Sequence, residues 1–182
     1  MIEGSLGRRY AKAILILAEQ KNSVDAFLQE IQSLAPYFAE SSPLLVALNN
    51  PALSLVAKKS IINAVISKVQ ISTEIGNMLR ILVERKKVSI FDSIVREFRQ
   101  LADEKLGQLR ITVQSPQKID AASEAKLQQV FASKTGKKII LTTQVGPDLL
   151  GGIVVKVDDK VYDGSLKTQL NKLRTLVEKQ AV

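Results

Sequence analysis

Cysteine and histidine are both missing from this 182-residue chain, and aromatic residues make up only 4% of it. Without thiols or imidazoles there can be no disulfides, no zinc site of the usual Cys/His kind, and no His-based catalytic triad. Carboxylates, lysines, tyrosines and hydroxyls are all that remain for catalysis, so the composition points away from an enzyme. Long apolar runs are missing too. The longest, Ala13 to Ala18, is six residues, against the roughly 18 needed to span a bilayer. The opening "MIEGSLGRRYAKAILILAEQ" lacks a signal-peptide pattern, so a soluble chain without a visible address is expected.

What is present suits a packed aliphatic core. Apolar residues make up 46% of the chain, so Leu, Ile, Val and Ala must fill the interior that aromatics do not. The net charge is +8, which suits an anionic partner such as nucleic acid, lipid headgroups or an acidic protein. The excess is spread along the chain. Residues 1–105 hold 14 basic and 11 acidic groups (+3), and residues 106–182 hold 12 and 7 (+5).

The period of the pattern changes near residue 106. Before it, Leu6, Tyr10, Ala13, Ile14 and Leu17 recur at helical spacing. Ser23 precedes a second helix with Val24, Phe27, Leu28, Ile31 and Leu34 inward, which kinks at or tolerates Pro36. A short helix follows, with Ser42 as cap, Pro43 in its first turn and Asn49-Asn50-Pro51 as its stop. Ser54, Ser72 and Ser89 open three more, the last ending on Gly107. Beyond it "QLRITVQS" alternates as a half-buried strand, "DAASEAKLQQVFASKTG" is a helix capped by Asp120, and "KKIILTTQV" is a second strand. Gly152 to Val157 makes a third, followed by a turn at Asp158-Asp159-Lys160. A last helix carries Leu166, Leu170, Leu173 and Val177. The expected fold is mainly α: an N-terminal six-helix bundle over residues 1–105, then a small mixed α/β part over residues 106–182.

The stretch "LLGGIVVKVDDKVYDGS", Leu149 to Ser165, invites a ligand-loop reading. Gly146 and Gly151 fit G-x-x-x-x-G, but Gly152 and Ile153 stand where a phosphate loop needs Lys and Ser/Thr. Asp158, Asp159 and Asp163 do not follow the calcium-loop order. The structural reading is preferred. Asp158-Asp159 solvates a hairpin turn, Asp163 or Ser165 caps the last helix, and Gly151-Gly152 marks a bulge or a close backbone approach. No catalytic residue, cofactor site or metal site is expected.

Two helices carry more apolar surface than one core contact needs. Beside Tyr10, Ala13, Ile14 and Leu17 runs a second stripe, Ala11, Leu15 and Ala18. In the helix after Ser72, Ile75, Leu79 and Leu82 form one stripe, and Met78 and Ile81 the other. Either both helices are buried all round, or one face of each helps form a groove for a partner's amphipathic helix.

Taken in order, "GRRYAKAILILAE", "NNPALSLVAKKSIINAV", "MLRILVERKKVSIFDSIVREF" and "LLGGIVVKVDDKVYDGSLKTQLNKL" resemble the delta subunit of bacterial and plastid F-type ATP synthases. That family is equivalent to the mitochondrial oligomycin-sensitivity-conferring protein, and the resemblance spans residues 5–178. It implies a non-catalytic stator subunit without a cofactor. In such subunits the helical part grips N-terminal helices of the alpha subunits at the top of the catalytic head. The C-terminal part holds the b subunits of the peripheral stalk. Carried over to matching positions, Tyr10, Ala13, Ile14, Leu17, Met78, Ile81 and Arg85 would bind the alpha-subunit helix. The resemblance further implies a place at the cytoplasmic face of a bacterial inner membrane, or its thylakoid equivalent in a plastid, reached only through the complex. A basic nucleic-acid-binding module is the alternative. Exposed aromatics for stacking, an RNP-like run and a G-x-x-G loop between helices are all wanting for it.

Overall fold

The structure, a computed structural model, describes residues 2–146, 149–157 and 160–171. The chain divides into two compact units, Met1–Leu106 and Gly107–Val182. It is mainly helical, with a small mixed sheet confined to the second unit.

Six α-helices build the first unit: α1 (Ile2–Gln20), α2 (Val24–Leu34), α3 (Pro43–Asn49), α4 (Leu55–Val69), α5 (Thr73–Glu84) and α6 (Phe91–Lys105). Two 3-10 turns, Ala35–Phe38 and Val88–Ile90, join them. These turns depart from the expected elements. Pro36 does not kink α2 but sits in the turn that follows it, because proline cannot continue an i to i−4 ladder. Ser89 caps nothing, since Val88 and Ile90 bury their side chains in a tight turn and α6 starts only at Phe91. Two of the serine caps form as expected. Leu45 N–H donates to Ser42 Oγ at 3.1 Å, and Ala57 N–H to Ser54 Oγ at 3.2 Å. At the start of α5 the Ser72 side chain makes no cap bond, and its own N–H donates to Glu30 Oε2 of α2 at 2.7 Å.

α1 and α6 run parallel and in register. Gly7 lies so close to Ser93 that any Cβ there would meet Ser93 Oγ, and twelve residues further on Lys105 Nζ reaches Glu19 Oε1 at 2.7 Å. The core is aliphatic around four phenylalanines, Phe27, Phe38, Phe91 and Phe98. Ile31, Leu34, Ile62, Ile75, Leu79, Leu82 and Ile94 are fully buried, and the Phe38 and Phe91 rings lie with centroids 4.3 Å apart.

In the second unit β1 (Gln108–Ser115), α7 (Ala121–Thr135), β2 (Lys138–Val145), β3 (Val154–Val157) and β4 (Lys160–Asp163) form a sheet in the order β2-β1-β3-β4. β1 pairs parallel with β2 through the α7 crossover and antiparallel with β3, and β3 pairs antiparallel with β4. Register puts Leu109, Ile111 and Val113 of β1 beside Ile139 and Leu141 of β2 and Val155 and Val157 of β3. Leu127 and Phe131 of α7 pack on that face. Asp120 caps α7, accepting from Ser123 N–H at 2.9 Å.

The glycine pair and Asp-Gly-Ser turn out to be one structural knot. Gly164 N–H donates to Ile153 O at 3.0 Å and Leu166 N–H to Gly151 O at 2.9 Å, so the two segments lie side by side. Gly152 stands at φ +80 against the backbone of Gly164 and Ser165, and β3 begins only at Val154 rather than at Gly152. Both capping candidates act together at the helix that starts at residue 166. Ser165 Oγ accepts from Thr168 N–H at 3.2 Å, while Asp163 accepts from Ser165 N–H at 2.9 Å and from Thr168 Oγ1 at 2.7 Å. The Asp158-Asp159 turn and positions Leu173 and Val177 of the last helix lie outside the described residues.

Candidate functional site

A cavity of about 330 Å³ opens between α1 and α5, lined by Leu6, Arg9, Tyr10, Ala13, Ile81 and Arg85. Leu6, Arg9, Tyr10 and Ala13 stand at i, i+3, i+4 and i+7, one face of a helix, and Ile81 and Arg85 at i and i+4 share a face of α5. Ala13, with only a methyl group, leaves the space that the cavity occupies.

The helices are antiparallel here, and an ion pair holds one end of the groove. Lys21, just beyond α1, reaches Glu74 in the first turn of α5 at 2.6 Å. The hydrogen bond from Lys21 holds the Glu74 carboxyl below its ordinary range, helped by its own backbone amide. Glu84, at the other end of α5, is likewise lowered by Lys59 at 2.5 Å. For a carboxylate lowered on folding, the stabilisation is complete above the unfolded value and is lost as pH falls through the folded one. We therefore expect the separation of α1 and α5 to loosen below about pH 4. The loss should be smaller in Glu74→Gln, whose pair is already broken. Amide exchange of α5 against pH checks this, and identical profiles would refute it.

The seven expected contact residues separate by depth. Tyr10, Ala13, Ile81 and Arg85 line the cavity. Leu17 is on the same helix, 37% exposed, one turn beyond. Ile14 and Met78, at 3% and 4% exposure, belong to the core. They are corrected from contact to interior, because Ile14 faces inward with Ala11, Leu15 and Ala18, and Met78 with Ile75, Leu79 and Leu82. Neither helix is buried all round, since Ile16 stays 55% exposed and Ile81 40%. Leu6, read at the same helical spacing but not among the expected contacts, lines the cavity too, as does Arg9, which the stripe reading missed. The i+3 and i+7 spacing from Leu6 through Arg9 to Ala13 was the available signal, obscured because an arginine does not count toward an apolar stripe. The guanidinium of neither Arg9 nor Arg85 has a hydrogen-bond or ion-pair partner among the described residues.

Nothing in this groove is arranged for chemistry. No nucleophile and base are paired in it, and among the described residues no group of three or more acidic side chains could hold a metal ion. Apolar walls with two arginines at the rim are instead what an amphipathic helix requires. In the second unit the exposed apolar side chains include Leu150 (77% exposed), Leu166 (47%) and Leu170 (58%). Among the described residues no helix is long and apolar enough to cross a membrane.

Comparison with known proteins finds relatives over nearly the whole chain. The family described as ATP synthase delta (OSCP) subunit matches residues 6–177. ATP synthase subunit delta of Geobacter sp. (strain M21) is 33% identical over 179 residues, 98% of this chain and 99% of its own. The same subunit of Anaeromyxobacter sp. (strain Fw109-5) is 37% identical over 174 residues, 96% and 97% of the two chains. A chain of the Toxoplasma gondii mitochondrial ATP synthase hexamer, solved by cryo-EM, shares the fold with a TM-score of 0.74. It is 20% identical, and the match covers 94% of this chain and 97% of that one.

Proposed function

Because the chain belongs to the ATP synthase delta (OSCP) subunit family, we infer that it is the non-catalytic stator subunit of an F-type ATP synthase. A stator subunit has a mechanical task. It must hold the catalytic head against the torque of the rotor, so it needs two attachments and no chemistry of its own.

The head attachment is the α1–α5 groove, and its occupant is the N-terminal helix of an alpha subunit. The observation that carries this reading is that Leu6, Tyr10, Ala13 and Ile81 line one cavity between two helices. An incoming helix would lay its apolar face on these side chains, approach closely over Ala13, and meet Arg9 and Arg85 at the rim with its acidic residues. Ile14 and Met78 would support the floor from beneath. Residues 1–105, with their six α-helices, form the head-binding part. Residues 106–182 form the stalk-binding part, where the exposed Leu150, Leu166 and Leu170 offer apolar surface to the b subunits. The complex would carry the chain at the cytoplasmic face of a bacterial membrane.

Calorimetric titration of a peptide from the alpha subunit's N-terminal helix into the full chain tests the head contact. Ala13→Arg fills the groove without touching the core and should weaken binding at least tenfold, about 1.4 kcal/mol. Unchanged affinity in the folded variant would move the contact elsewhere.

A further inference from the structure

A second cavity of the first unit, about 360 Å³, lies among the end of α3, the chain leading into α4, and the end of α5. Leu48, Leu53, Val83 and Val88 supply apolar walls, and Lys58 and Lys86 line it with them. The ammonium group of neither lysine has a hydrogen-bond or ion-pair partner among the described residues. The acid that α5 offers at this end, Glu84, is already taken by Lys59.

The backbone at Lys86 points the same way. α5 closes with a double bond pattern, Lys86 N–H to Val83 O at 3.1 Å and Lys87 N–H to Leu82 O at 2.8 Å. The residue at the pivot of that closure adopts the left-handed conformation and is usually glycine. Here it is lysine, at φ +52, although a Cβ disfavours that region. Asn22 after α1 and Gln70 at the end of α4 have similar φ values of 50 and 54; asparagine tolerates it, and Gln70 is not in the lining of this cavity. A strained residue whose side chain lines a cavity is a pointer to function.

The two features together restrict the occupant. A purely apolar group would cover the half-buried Lys58 without offering its ammonium, or the exposed Lys86 beside it, a counter-charge. A bare inorganic anion would leave the half-buried Leu53 and the exposed Leu55 of the lining uncovered. At the cavity's edge Leu55 is 44% exposed, and Val56 beside it 78%, so apolar surface continues outward past the cavity.

We propose that this cavity receives one acidic side chain, flanked by apolar residues, from a peptide segment of a partner protein. The carboxylate meets Lys58 and Lys86, and its apolar neighbours cover the walls and the Leu55–Val56 edge. The site uses none of the residues that line the α1–α5 groove, so the two readings fail separately.

The test is an NMR titration of the isotopically labelled full chain with acetyl-Leu-Glu-Leu-amide, acetyl-Leu-Gln-Leu-amide and inorganic phosphate. The glutamate peptide should move the amide signals of Leu53, Lys58, Val83 and Lys86 saturably, leaving those of Tyr10 and Ala13 in place. The glutamine peptide and phosphate should bind at least tenfold more weakly. Lys58→Met and Lys86→Gly should each weaken the glutamate peptide at least tenfold. Lys86→Gly should at the same time melt at a higher temperature, so its loss of binding is not a loss of fold. Equal binding of the two peptides, phosphate binding as tight as the glutamate peptide, no saturable shift, or wild-type affinity in Lys86→Gly would each overturn the proposal.

Discussion

Gly152→Ala should cost the second unit about 3 kcal/mol, from left-handed strain and overpacking together. The added Cβ would collide with the carbonyl oxygen of Gly164 and lie 3.0 Å from Ser165 Cα. Both are backbone atoms, held in place by the Gly164-to-Ile153 and Leu166-to-Gly151 hydrogen bonds, so neither can turn aside as a side-chain tip would. Gly136→Ala is the control. It too has a positive φ, +67, but a Cβ there meets nothing within 4 Å, so it pays only the dihedral cost, about 1 kcal/mol. A domain of this size has roughly 4–10 kcal/mol in all, and among the described residues Ile111, Val113 and Val155 form its buried centre. Urea unfolding followed by the amide signals of β1 and β3 should show Gly152→Ala shifted well below Gly136→Ala. Equal midpoints for the two variants would show that the Gly152 contact is soft and the knot is not structural.

That knot also shows how much of the molecule could be read in advance. Gly151-Gly152 and Asp163-Gly164-Ser165 were legible as a close approach and a cap, because each residue type has a local physical reason to be there. What was not legible was that the two are one object, joined by backbone bonds between segments eleven or more residues apart. β4 was missed for a related reason. Lys160–Asp163 is exposed along its length, so it has no alternation of buried and open positions, and only pairing with β3 defines it. The helices of the first unit announced themselves by period and by the Ser42 and Ser54 caps. The 3-10 turns did not, since their short reach leaves no period to detect.

In the candidate site, apolar character was legible and depth was not. Met78 and Ile81 stand three residues apart, so their directions around α5 differ by only about 60°. Packing by the rest of the unit, which a single helix pattern does not contain, then put one at 4% exposure and the other at 40%. The same limit applied to Ile14 and Ala13, neighbours in sequence of which one is core and the other cavity wall.

This difference in depth makes the last prediction sharp. Met78→Asp should unfold the first unit or nearly so. It removes a buried thioether side chain, costing about 2–5 kcal/mol, and strands a carboxylate among Ile75, Leu79 and Leu82, where ionisation has no partner. Ile81→Asp should leave the fold within about 1 kcal/mol of wild type, since the new carboxylate reaches water, yet weaken the alpha-subunit peptide by tenfold to a hundredfold. The lost apolar contact on binding is worth roughly 1.5–3 kcal/mol. Arg85, one turn along the same face, would draw the new carboxylate to itself and away from an incoming acidic residue, adding to the loss. Thermal melts by circular dichroism and calorimetry on both variants separate the two effects. A folded Met78→Asp that fails to bind, beside an Ile81→Asp that binds normally, would mean that the helix docks deeper than the cavity drawn here and that α5 turns in the complex.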